Sequence, residues 1–256
     1  MPRSVLFQTD ATIVSLVLFV LMMLFIFLGW QIGKWKAKNT EKKPESSGLT
    51  ALLFFLLAFT FGMSGARFDD RRKIIVEEAN HISTALLRSD MYPQEERSMF
   101  ISDFKEYVEA RIEYFMAGAD IKRIIVADSL TQLIFSKLWT RATRLSANPA
   151  NLAASNQMIP ALNDMIDITT KRLMGEKAKV PESILYMLFF LACISSFYAG
   201  YIAGRKSHID WAIEVGFCLL VSLVVLFTLD LDRPRRGFIN LDGPNQAIID
   251  LRKNFK

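Results

Sequence analysis

Few residues in this chain have the types and spacings that do covalent chemistry. Its only histidines, His81 and His208, are far apart, and its only cysteines, Cys193 and Cys218, sit inside apolar runs. That is neither a disulfide framework nor a metal set, and it assigns both thiols to packing. Glu77 and Glu78 are neighbours. On a helix they point about 100 degrees apart, so they do not converge as an acid–base pair. Asp164 and Asp167 lie one turn apart and read as a solvated helix face rather than as cation ligands. No phosphate-cradling glycine loop, HExxH, GxSxG or CxxC occurs. The expectation is a protein that is not an enzyme and takes no cofactor and no metal.

The residues that remain are charges set against apolar sequence. Glu214 falls in the first turn of an apolar run, and a carboxylate there is costly unless it reaches the headgroups. Asp230, Asp232, Arg233, Arg235 and Arg236 follow the same run as DLDRPRR and read, with Glu214, as charge clusters that fix where the run stops. The third set lies on one helix, from Leu49 to Glu78. At about 100 degrees per residue, Leu49, Leu53, Leu56, Leu57, Thr60, Ser64, Arg67, Arg71 and Glu78 share one stripe. Ala51, Ala58, Gly62, Gly65 and Ala66 form a ridge of small residues on the other side. Small residues let helix backbones approach in lipid, so the ridge, with Ala58, Gly62 and Gly65 at its centre, reads as the packing side. The graded stripe then faces water or a pore. The plainer alternative is an ordinary span whose polar end sits at the membrane interface.

The elements that carry these residues follow from hydropathy. The chain has 256 residues, 52% of them hydrophobic, and the apolar excess is gathered in four blocks. That makes it an all-α integral membrane protein. The spans are read as Ala11 to Trp30, Thr50 to Met63, Glu182 to Tyr201 and Trp211 to Leu229. Gly200 belongs to a small-residue side of the third. Between spans two and three, apolar residues recur at three and four, giving a helical extramembrane bundle. Its helices are read as one continuing from the second span until before Pro93, one from Pro93 to Gly118, one from Ile121 to Leu145 and one from Ile159 to Met174. The domains are therefore residues 1–66, 67–180, 181–230, and a polar C-terminal tail at 231–256. Four spans put both termini on one side. The net charge of +5 lies mostly beside the spans, which suits anionic headgroups and not nucleic acid. The five lysines of residues 31–48 favour that connector in the cytoplasm, whereas the arginines at the other span ends favour the opposite sense.

Three stretches also carry a resemblance: LAFTFGMSGARFDDRRKIIVEEANHISTALLRSDMYP, PALNDMIDITTKRL and LDLDRPRRGFI. In order and spacing they resemble a bacterial family labelled bestrophin-like, over about Leu49 to Arg252. The resemblance implies four spans with a helical domain between the second and third, placed inside the cell. It implies a homo-oligomeric, pentameric ion channel of the bacterial inner membrane that favours anions, chloride above all, and whose second span lines the pore. Carried onto this chain by position, the neck is Leu53, Leu57 and neighbouring Thr60 or Phe61, and with Ser64, Arg67 and Arg71 from the graded stripe these are the pore-lining candidates. The acidic calcium-binding run of animal bestrophins has no counterpart here. The competing reading is a non-conducting membrane scaffold or sensor that binds a protein through the helical domain. A secondary transporter fits less well, because no internal repeat is present.

Overall fold

The computed structural model describes residues 9–37, 48–206 and 208–255. Most of the lysine-rich connector, and Ser207 in the turn before the last span, lie outside the described residues. Everything regular among the described residues is helical. The helices are α1 (Ala11–Ala37), α2 (Leu49–Arg88), α3 (Gln94–Met116), α4 (Ile121–Ser146), α5 (Leu152–Lys177), α6 (Glu182–Arg205), α7 (Trp211–Leu231) and α8 (Asp242–Asp250). Helices α1, α2, α6 and α7 are long and apolar enough to cross a membrane. The chain divides into two compact units, residues 1–67 with 179–233, and residues 68–178 with 234–256.

The first unit is held by close approach of α1 and α6. A Cβ built on Gly29 or Gly33 would run into the carbonyls of Phe197 or Tyr201. One built on Gly200 or Gly204 would run into those of Ile26 or Trp30. Both helices thus carry glycines four apart at the crossing, the spacing that lets backbones touch where lipid supplies no hydrophobic drive. The α6 side was legible in the sequence and the α1 side was not. Around the crossing pack Leu18, Met22, Ile26, Leu53, Leu57, Leu188 and Val221. The Ser15 hydroxyl donates to the Ser222 carbonyl at 2.5 Å, tying α1 to α7.

The second unit is a bundle of α3, α4, α5 and α8 with the end of α2. Its boundaries have local causes. Tyr92 and Pro93 are extended, which ends the α2 segment and opens α3. Gly118, at φ +53°, permits the turn after α3, and the Asp120 side chain accepts from the amides of Lys122 and Arg123 to start α4. Helix α5 begins at Leu152 rather than Ile159 and carries Pro160 in its interior. Ala154, Ser155 and Met158, buried ahead of the proline, hold that first turn in the bundle. Gly175 lies inside α5 and does not end it.

Residues 234–256, within the stretch read as a polar C-terminal tail, group with this unit. Leu241, Ile248 and Leu251 are buried in its core, each worth about 1.5–3 kcal/mol of burial. The exposed Arg252–Glu109 pair beside them, at 2.6 Å, adds at most about 1 kcal/mol. Apolar burial, not charge, therefore docks the C-terminus.

Replacing Gly200 or Gly29 with Leu is expected to abolish the α1–α6 crossing. Gly216→Leu is the control, because a Cβ there meets nothing within 4 Å. Detergent thermal stability should fall sharply for the first two and little for the third. Equal tolerance of all three would refute the crossing.

Candidate functional site

The stripe read on α2 is present, but it faces the interior. Leu53, Leu57, Thr60 and Ser64 are all buried, none more than 3% exposed. The Thr60 hydroxyl is spent on the carbonyls of Leu56 and Leu57 at 2.8 and 3.1 Å. Arg67 grips Asp232 through Nε at 3.0 Å and Nη2 at 3.2 Å, and touches the Ser64 hydroxyl at 3.3 Å. Asp232 also accepts the Val180 amide at 2.7 Å, so one carboxylate ties α2 and the approach to α6 to the end of α7. Arg71 is buried and donates to the carbonyls of Gly175 and Ala178 at 3.0 and 2.6 Å. Those are orphan acceptors at the negative end of α5, where a cation is favoured.

Within the single chain, the face expected to look onto a pore, with Leu53, Leu57, Thr60, Ser64, Arg67 and Arg71, is turned to the interior. Periodicity put them on one face, and the partners of Arg67 and Arg71 turn that face inward. Phe61 alone of the seven candidates stays exposed, at 43%. The outward side of α2 carries Ala51, Leu52, Phe55, Ala58, Phe59 and Gly62. A Cβ on Gly62 or Gly65 meets nothing within 4 Å. Within the chain, Gly62 and Gly65 thus make no close helix contact and Ala58 is exposed. Below them Asp69, Asp70, Arg72 and Lys73 are exposed, pairing as Arg72–Asp69 at 3.5 Å and Lys73–Asp70 at 3.7 Å.

The charges after α7 do not form one cluster. Glu214 sits in the first turn of α7, about 24 Å of helix from Asp230 at 1.5 Å per residue. Asp230 and Asp232 are buried at the other end of the helix. Arg235 belongs to the second unit, bonded to Glu176 at 2.9 Å and to the Tyr114 carbonyl at 2.9 Å. Arg236 is exposed.

The second unit holds a charge network that sequence reading passed over. Glu78 is fully buried and receives Arg111 Nε at 2.5 Å and Arg172 Nη1 at 2.6 Å. Arg172 also donates to Asn245 Oδ1 at 2.8 Å, and its Nε is 3.6 Å from Glu176. The ring of Tyr114 lies against three guanidinium carbons, those of Arg111, Arg172 and Arg235, at 4.6, 5.7 and 4.3 Å. Burial by itself would raise the Glu78 carboxyl, but the charges and hydrogen bonds of Arg111 and Arg172 outweigh it and lower it to about 2. The signal was available: Glu78 and Arg111 each sit on an otherwise apolar helix face. Asp164 faces His81 at 4.0 Å. Among the described residues no group of three His, Cys, Asp or Glu is placed to hold a metal ion.

A family model described as the Bestrophin-like domain matches residues 13–242. No curated protein matches the chain. The crystal structure of a bacterial bestrophin homolog from Klebsiella pneumoniae superimposes with a TM-score of 0.64 at 12% identity, covering 92% of this chain and 96% of that one. At that identity the likeness speaks to the fold.

Glu78 ties stability to pH with a defined sign. Its folded value, about 2, lies below the unfolded value of 4.5. The contribution is therefore complete above the unfolded value and is lost as pH falls toward 2. Thermal unfolding should be flat from pH 7 to 5 as far as this group is concerned, and weaken below. Glu78→Gln, which leaves two buried arginines without their carboxylate, should cost about 3–5 kcal/mol at pH 7. A variant as stable as the parent would remove the network from the account.

Proposed function

The chain belongs to the bestrophin-like family, and from that premise we propose that it is one subunit of a homo-oligomeric ion channel in a bacterial inner membrane. The assembly is a pentamer and the favoured ion is chloride, both taken from the family resemblance. The observation that carries the reading is the uncovered face of α2. It lies in an apolar span, presents Phe55 at 66% and Phe59 at 54% exposure one turn apart, and alternates them with Ala51, Ala58, Gly62 and Gly65. Copies arranged around an axis bring these faces together. The small residues let neighbouring α2 helices approach closely, and the phenylalanines close a ring. An apolar ring of that kind gates by dewetting: water leaves the constriction, and the ion loses its hydration without replacement.

A second reading keeps one supporting observation. Helix α4 exposes Ile121, Ile125, Val126 and Leu133, at 68, 59, 67 and 58%. An apolar patch of this kind suits a protein partner, as a non-conducting scaffold requires. The same patch also suits contact between copies.

Currents across planar bilayers separate the two. Phe59→Ala is expected to raise conductance several-fold, because a wider neck stays wet, and Phe59→Trp to lower it. Leu57→Ala should instead destabilise the fold by about 2–5 kcal/mol, as a core truncation does, with the unitary current unchanged. Arg67→Glu sets a carboxylate against Asp232 and should cost folded protein rather than reverse selectivity. No current from an intact oligomer would end the channel reading. A shifted reversal potential in folded Arg67→Glu protein would put Arg67 back on the path.

A further inference from the structure

The buried network of the second unit is not electrically closed. Arg111, Arg172 and Arg235 stand against Glu78 and Glu176, three positive charges to two negative. Arg111 is the member with capacity to spare. It is 1% exposed, yet among the described residues its guanidinium donates one hydrogen bond, from Nε to Glu78. The terminal nitrogens donate none. Arg111 lines open space, and an anion is what fills free guanidinium donors there.

A cavity of about 290 Å³ lies beside it, between α4 and α5, lined in part by Arg111. Arg111 and Thr131 are its buried floor, Phe135, Ile166 and Leu173 are half-buried walls, and Thr170 is at the rim. We propose that this cavity binds a small organic monocarboxylate, with its oxygens on the terminal nitrogens of Arg111 and its short apolar body against Phe135, Ile166 and Leu173. The planar guanidinium fork matches a carboxylate. Asp128, another wall residue, whose own partner is Gln132 Nε2 at 3.0 Å, repels a dianion more strongly than a monoanion. Inorganic phosphate and dicarboxylates are therefore disfavoured. The apolar wall selects against chloride, which gains nothing from it. None of this depends on whether the protein conducts ions.

The test uses the full-length protein in nanodiscs at neutral pH and constant ionic strength. Butyrate and benzoate are titrated by calorimetry and by thermal unfolding, with phosphate and chloride as comparators. Saturable binding of the two carboxylates, one per chain, is expected, and none of phosphate. Leu173→Trp fills the cavity without touching the charge cluster and should abolish binding while oligomer mass and unliganded melting temperature hold. Thr170→Trp at the rim replaces it if that variant does not fold. Arg111→Lys, which keeps the charge but loses the fork, should weaken binding at least about tenfold. Absence of saturable carboxylate binding overturns the proposal. So does equal binding of phosphate or chloride, or carboxylate binding that survives the tryptophan variants.

Discussion

Polar groups on a core-facing helix stripe must find partners inside the protein, and this constraint sets the rotation of α2. Arg67, Arg71 and Glu78 fall on one line down that helix. Asp232 meets the first, the last carbonyls of α5 meet the second, and Arg111 and Arg172 meet the third. Rotating α2 by half a turn would strand three charges and place Phe55 and Phe59 in the core. Leaving even one such charge unpaired costs several kcal/mol, while a native domain has only about 5–15 kcal/mol in hand. The apolar residues alone would not decide, because both faces of the span are apolar. The charges decide.

That explains what could be read from the sequence and what could not. Spans, bundle helices and the stripe on α2 were legible because hydropathy and period encode them directly. The direction of the stripe was not, because Asp232 is 165 residues from Arg67 in the chain and no local pattern joins them. The small-residue ridge shows a related limit. Gly62 and Gly65 have no close neighbour within the chain, and the glycines at the close helix crossing inside it are Gly29, Gly33, Gly200 and Gly204. A GxxxG spacing shows that a close crossing is possible and does not name the partner helix. On α1 the pair was hidden in the polar end of the first span. The C-terminal segment was missed because its three core residues, Leu241, Ile248 and Leu251, are sparse among charges, and only the bundle they enter makes them a stripe.

The rotation of α2 also bears on ion preference. With Arg67 held by Asp232, a ring of arginines cannot set the potential along an axis bounded by the outward face. The exposed charges that follow are two acids and two bases already paired along the helix. Their fields cancel at range and are screened within about 8 Å at physiological salt. Selectivity on the proposed path therefore has to come from the constriction itself. A phenylalanine presents a positive ring edge and a negative face. Edges turned toward the axis favour a weakly hydrated anion over a cation, and faces do the reverse. On the proposed path, ion preference would then rest on the rotamers of Phe55 and Phe59, and on how closely Ala58 and Gly62 of neighbouring copies let the helices approach.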